Sequence, residues 1–290
     1  PENIRSLAND AVSFFRRNAP LPINDPESHV VRMIWTIFMN PKLAKSSPNT
    51  IVAVLNCISI DLFSSGALDR MLKGIIMVTS SETSIDCDAA AILLEHAENH
   101  ITDHFPHMIL IKIILSMALS MMSHKDEMIS STTFASFPQI LDSLVKKVEY
   151  FSDSNKNTES ESQKLVDFTQ FKTTIEEQKL NFDKQFDQFD HNPYIYILYL
   201  LFNDLTAIAL DQKAKWLLLP DNYKKSHLPT LIFDVLENIV HVYHVLIETE
   251  PQLICLFEPA VIQSMYDSNA LQFIVCFIDI YLESHKSLCN

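Results

Sequence analysis

Asn192-Pro193-Tyr194-Ile195-Tyr196-Ile197-Leu198-Tyr199-Leu200-Leu201-Phe202-Asn203-Asp204-Leu205 is the stretch around which the rest of the chain is arranged. From Tyr194 to Phe202 nine consecutive residues are apolar or aromatic, and the run then breaks on Asn203 and Asp204. A bilayer-spanning helix needs roughly twenty apolar residues, so this run is too short to cross a membrane. A helix that is apolar on every side belongs inside a packed core. Asp204 stands out against that background, a charge two residues past the run on an element that otherwise avoids it.

Outward from this stretch the composition points to helix. The 290 residues contain only two glycines, Gly66 and Gly74, whereas β-hairpins and bulges would demand many positions of positive φ. Prolines fall mostly between apolar-periodic segments. The expected fold is all-α. The net charge of −14 argues against nucleic-acid binding, which needs a cationic surface, and against membrane association through a broad basic face. Five cysteines (Cys57, Cys87, Cys255, Cys276, Cys289) are widely spaced and mostly set in apolar runs, as small buried hydrophobes in a reducing, cytoplasmic compartment would be. No apolar h-region follows a basic start, so no signal peptide is expected.

In chain order, Glu2 to Arg17 reads as an amphipathic helix ended by the prolines between Pro20 and Pro26. Further helices are expected over Ser28–Met39, from Ser47 to about Phe63, and over Ala67–Val78. Another, capped by Ser84, should run to about Ile101. A strongly apolar helix follows Pro106 and includes Met108 to Leu119. One more reaches about Tyr150, with a kink at Pro138. Each helix pair occupies close to the roughly 40 residues of a HEAT or armadillo unit, so residues 1–150 read as a module of stacked pairs, an α-solenoid.

Residues 151–192 read as a linker and an attached helix. Ser152 to Gln163 lacks any apolar residue and suits a solvated linker. Leu165, Phe168, Phe171, Ile175, Leu180, Phe182, Phe186 and Phe189 then alternate with charges, either as a stripe docked on the body or as a partner-binding face. Residues 193–290 form a second helical module. It comprises the opening stretch, a turn at 211–215 before Trp216, and helices over Pro229–Ile247, Pro259–Tyr266 and Asn269–Ser287.

The search for chemistry yields little. His100, Asp103, His104 and His107 have metal-like spacing, but no general-base glutamate lies between the first two histidines, and Pro106 interrupts the helix. His241 and His244 lack further ligands to complete a set. No G-x-S-x-G and no phosphate-cradling glycine loop is present. No catalytic constellation, cofactor site or metal site is expected, and the chain is not expected to be an enzyme.

Tyr199-Leu200-Leu201-Phe202-Asn203-Asp204-Leu205, with Trp216-Leu217 downstream, resembles the "homology upstream of Sec-seven" (HUS) box of large Arf guanine-nucleotide exchange factors. It is most similar to that of their exchange-domain-lacking relatives, the MON-two (monensin-sensitivity) family. Val245-Leu246-Ile247-Glu248-Thr249-Glu250-Pro251-Gln252-Leu253-Ile254 resembles the family's segment ending in Pro-Gln before an aliphatic pair. Ile109 to Leu119 and Met128 to Leu141 resemble the end of its dimerisation and cyclophilin-binding (DCB) domain. Ile197, Leu198, Phe134 and Pro138 depart from the family pattern and mark a divergent member, of fungal type.

The resemblance implies a DCB-like armadillo module at 1–150 and a HUS-like module at 193–290, in a scaffold peripheral to trans-Golgi network and endosome membranes. Implied partners are a Dopey-family protein, an Arf-like small GTPase and a second copy bound through the DCB module, with membrane contact through partners or lipid. Tyr199, Phe202, Asn203, Asp204, Leu205 and Trp216 are the candidate site residues, as a partner-binding or inter-module box. The apolar run would lock the second module onto the first. Asn203 and Asp204 would either bond the neighbouring turn or meet a partner, and a carboxylate beside a core helix usually needs an internal partner. Two alternatives stay open: the regulatory region of an active exchange factor, and a generic HEAT-type adaptor for basic cargo.

Overall fold

The computed structural model of the chain describes Asp25 and residues 28–40, 42–43, 47–59, 62–63, 65–103, 108–154, 192–221, 223–264 and 271–288. Among these residues the architecture is all-α, with eleven α-helices and a short 3-10 turn at Tyr223–Lys225. None of the helices is long and apolar enough to cross a membrane. The helix expected over Glu2–Arg17 and the Phe-rich segment after Ser154 lie outside the described residues, as does Cys289.

The chain divides into two compact units. The first runs to Pro193 and also takes Leu218–Pro220; the second is Tyr194–Leu217 with Asp221 onward. The first holds α1 (His29–Met39), α2 (Ser47–Ser59), α3 (Ser65–Thr79), α4 (Cys87–Asp103), α5 (Met108–Met122) and α6 (Glu127–Ser154). In this unit each helix packs on the one two places along: α1 on α3 and α3 on α5, α2 on α4 and α4 on α6. Chain neighbours also touch, for instance α1 with α2 and α5 with α6.

Side-chain hydrogen bonds fix the register of these rows. Between α3 and α5, Thr79 Oγ1 donates to Ser120 Oγ at 3.0 Å and Ser120 Oγ lies 3.4 Å from the Ile76 carbonyl. Between α4 and α6, Cys87 Sγ meets Thr132 Oγ1 at 3.4 Å, Thr102 Oγ1 donates to Ser143 Oγ at 3.2 Å, and Lys147 Nζ donates to the Thr102 carbonyl at 2.6 Å. The start of α4 meets the early part of α6, and the end of α4 meets its later part, so the two helices run parallel. In all these bonds the partners are 41 to 45 residues apart in sequence.

The core of this unit is α5. Thirteen of its residues are buried, leaving only Ile109 and Lys112 partly outside, as the strongly apolar composition of Met108 to Leu119 requires. At its C-terminal turn the buried His124 acts as a clasp. Its Nδ1 accepts from the Asp126 N–H at 3.0 Å, so the neutral ring carries its proton on Nε2, which donates to the Ser81 carbonyl at 3.2 Å. The clasp ties the α3–α4 connection to the α5–α6 turn.

Several boundaries differ from the sequence reading, each for a local reason. α2 stops at Ser59 rather than near Phe63, and the Leu62 N–H returns to the Cys57 carbonyl at 3.0 Å. The cap of α4 is Asp86, whose Oδ1 accepts from the Ala89 N–H at 2.9 Å; Ser84 instead closes a turn on Ser81. α6, by contrast, has Pro138 inside a single helix as the sequence reading expects, with Phe137 fully buried beside it. The described cysteines are not core residues: Cys57, Cys87 and Cys276 are half-buried and Cys255 is exposed, all as free thiols. Burial pushes the Cys57 thiol above its ordinary pKa.

The second unit holds α7 (Pro193–Ala209), α8 (Leu228–Val242), α9 (His244–Thr249), α10 (Pro251–Ser264) and α11 (Leu271–Leu288). α8, α9 and α10 all pack on α11. The single helix expected over Pro229–Ile247 is broken at Tyr243 into α8 and α9. α10 opens at Pro251, and Pro259, expected to start a helix, lies inside it.

Candidate functional site

Asn192 and Pro193 set the start of α7. Proline's missing N–H is no loss at a first helical position. Asn192 is buried in the first unit, where its Nδ2 donates to the Val148 carbonyl at 2.9 Å and to Ser152 Oγ at 3.0 Å. The apolar run follows, with Tyr194 to Leu198 and Leu200 to Phe202 all buried.

At its other end α7 closes with a Schellman motif. The Gln212 N–H reaches the Ala207 carbonyl at 2.7 Å, and the Asp211 N–H reaches Ile208 at 2.9 Å. The motif needs a left-handed residue, and Asp211 supplies it at φ 57° where glycine is usual. Beyond it, Lys215 to Leu217 turn their amides toward α7.

Asp204 receives them. Its Oδ1 accepts from the Lys215 N–H at 2.9 Å, and its Oδ2 accepts from Trp216 at 2.8 Å and Leu217 at 2.7 Å. Asp204 has no exposed surface. Burial pushes its pKa above the ordinary carboxylate value, although the N–H groups of Leu217, Lys215 and Trp216 and the Asn203 side chain pull it down. Both oxygens are engaged by backbone donors and the side chain is buried. It works as a staple between a helix and a loop.

The loop is also held from its other side. Tyr223 Oη donates to the Gln212 carbonyl at 2.6 Å, and Lys224 Nζ donates to that of Asp211. Burial, and next the charge of Asp211, push the Tyr223 hydroxyl above its ordinary pKa, which keeps it a donor.

The six candidate residues therefore divide. Phe202, Asp204, Leu205 and Trp216 are buried; Tyr199 and Asn203 are half-buried. Phe202 packs against Phe257 of α10 with ring centroids 5.4 Å apart, and Tyr199 stacks on Tyr196 at 6.5 Å. The Trp216 indole Nε1 has no hydrogen-bond partner among the described residues, so its ring is held by packing. Sequence reasoning singled out Asp204 and Trp216 but missed Asp211, Gln212, Tyr223 and Lys224. The one signal for them was the polar turn itself.

Among the described residues no three His, Cys, Asp or Glu side chains gather as a metal site. His100 is buried on α4, while the Asp103 side chain, His104 and His107 lie outside the described residues. His241 and His244 are exposed. Compared with protein-family models, with curated proteins and with solved structures, the chain gives no match.

Proposed function

We propose that the chain is a non-enzymatic scaffold of Golgi and endosome vesicle trafficking, a DCB–HUS region of MON-two type built as an armadillo/HEAT-like α-solenoid. The observation that carries this reading is the Asp204 staple. The resemblance rests on two separate pieces, Tyr199–Leu205 and Trp216-Leu217, and a single carboxylate on the first accepts the N–H groups of both residues of the second. A motif whose parts bond to each other is better explained as one structural device than as chance similarity. The third piece adds to it, since α10, which opens on Pro251-Gln252, brings Phe257 onto Phe202.

The solenoid part of the reading draws on the first unit. Packing of each helix on the one two places along, parallel for α4 and α6, with bonded partners 41 to 45 residues apart, matches the spacing of stacked HEAT or armadillo pairs. On this reading the partners are a Dopey-family protein, an Arf-like small GTPase and a second copy through the first module. The cytoplasmic location is peripheral to trans-Golgi network and endosome membranes. A generic adaptor for basic cargo is the second reading, favoured by the net charge of −14.

A quantitative pull-down from cell lysate, probed for a Dopey-family protein and an Arf-like GTPase, tests the proposal. Recovery of both, unchanged across moderate salt, is the expected result. Recovery of neither, with salt-sensitive capture of basic proteins instead, would replace it with the adaptor reading.

A further inference from the structure

The second unit gathers its positive charge in one place. Lys213, Lys215, Lys224 and Lys225 stand within thirteen residues, and the rest of the unit adds only Lys286 and no arginine against eleven acidic residues. The cluster sits on the loop that the Asp204 staple pins. Lys215 gives its N–H to Asp204, and Lys224 Nζ donates to the Asp211 carbonyl, which brings a third ammonium group to the start of the same loop. Beside it, Tyr223 Oη holds the Gln212 carbonyl at 2.6 Å. Lys213, Lys215 and Lys224 are exposed, whereas Ala214 and Trp216 are buried, so Lys213 and Lys215 project from the same side.

These lysines differ from others on the surface. Lys73, Lys125 and Lys146 pair with Asp69, Glu82 and Asp142, but among the described residues neither Lys213 nor Lys215 has a carboxylate within ion-pair distance. Unpaired cations on a backbone already fixed can take an anionic partner at little ordering cost. The geometry narrows the form of that partner. The Cα atoms of Lys213 and Lys215 are no more than about 7 Å apart, and alternate side chains of an extended peptide repeat at about the same distance. Asp211 and Asp221, both exposed, precede the two lysine pairs and disfavour a longer acidic chain. An anionic membrane would meet the acidic remainder of the unit together with the lysines, whereas a short segment meets the lysines alone.

We propose that Lys213, Lys215 and Lys224 form a docking site for a short, extended acidic segment of a partner protein, with carboxylates at alternate positions. Lys213 and Lys215 each take one carboxylate. Lys224 spends one N–H on the Asp211 carbonyl and keeps two more for a third. Complementary charge sets orientation and encounter rate more than tightness, so the contact is weak and salt-sensitive. The site goes beyond the trafficking reading and does not depend on it, because the staple that presents the lysines is a feature of the fold.

The test is fluorescence anisotropy with the full chain at low ionic strength and labelled model peptides. One alternates serine and glutamate, one carries the same glutamates in a single block, and one alternates serine and lysine. The alternating acidic peptide should bind at least about threefold more tightly than the block, and the basic peptide should not bind. Lys213→Ser combined with Lys215→Ser should weaken binding by about tenfold. The matched pair Lys73→Ser and Lys146→Ser, on the first unit, should change it by less than about twofold. Serine at 215 keeps the N–H that Asp204 accepts, so the urea midpoint should hold. If the double variant proves misfolded by circular dichroism, Lys213→Ser alone takes its place, with about threefold expected. Equal losses from the two double variants would overturn the proposal by showing unspecific charge attraction, and equal binding of the alternating and block peptides would overturn its geometry. So would a parent chain that ignores both acidic peptides but sediments with phosphatidylserine vesicles through Lys213 and Lys215, since the loop would then belong to a membrane.

Discussion

Three amides converging on one carboxylate determine how Asp204 responds to change. Removing it with Asp204→Ala strands the N–H groups of Trp216 and Leu217 in the interior and that of Lys215 at its edge. An unsatisfied buried donor costs about 1–3 kcal/mol, so the variant should lose about 3–5 kcal/mol in urea unfolding. Asp204→Asn keeps one acceptor oxygen but turns an NH2 group toward a donor, and its loss should be smaller than that of alanine. The carboxyl also titrates with a definite sign. Burial raises its folded pKa above the unfolded value, so the native state holds the proton more tightly. The stability this confers is fully present below the unfolded pKa of about 3.9 and is lost as pH rises through the folded pKa. Relative to the non-titrating Asp204→Asn, the parent should therefore decline in stability across that window and keep a constant difference above it. Urea midpoints measured at a series of pH values check this. Sequence alone could mark Asp204, because a charge beside an apolar run is conspicuous. It could not supply the partners, because backbone amides 11 to 13 residues away carry no residue signature.

At the scale of elements, ends and crossings respond to substitution more than helix interiors do. α7 ends on Asp211 in the left-handed region, a conformation that glycine adopts without a Cβ penalty. Asp211→Gly should raise stability by about 0.5 kcal/mol, because the Lys224 contact is to a backbone carbonyl that glycine retains. Failure of the thermal midpoint to rise would argue that the aspartate side chain has a role of its own. α1 and α3 cross where Gly74 faces Phe38 and Trp35, and a Cβ on Gly74 would lie 2.6 Å from Phe38 Cδ2. Gly74→Ala should cost about 1–3 kcal/mol through overpacking, and Phe38→Leu in the same chain should recover part of it. Such a non-additive pair in equilibrium unfolding would locate the strain at this crossing. The existence of most helices was legible from periodicity, but their limits were less so. Nothing in the apolar pattern from Leu228 to Ile247 marks Tyr243 as a break, since no glycine or proline stands there. Pro251 and Pro259 stand eight residues apart, and the helix expected to open at the second opens at the first, so that Pro259 lies inside α10.

For the whole molecule, hydrophobic patterning conveyed the all-α class, while the relation between distant segments came from side chains too ordinary to read. The α4–α6 register is carried by Cys87, Thr102, Thr132, Ser143 and Lys147, residues whose partners nothing in the apolar pattern marks. Asp204 joins Tyr199–Leu205 and Trp216-Leu217 into one device. Amide hydrogen exchange of the intact chain tests it most directly, comparing the parent with Asp204→Ala at residues 215 to 217. These amides should be protected in the parent and exchange about a hundredfold or more faster in the variant, while the amides inside α7 keep their protection. Unprotected amides at 215 to 217 in the parent, or equal protection in the two proteins, would contradict it.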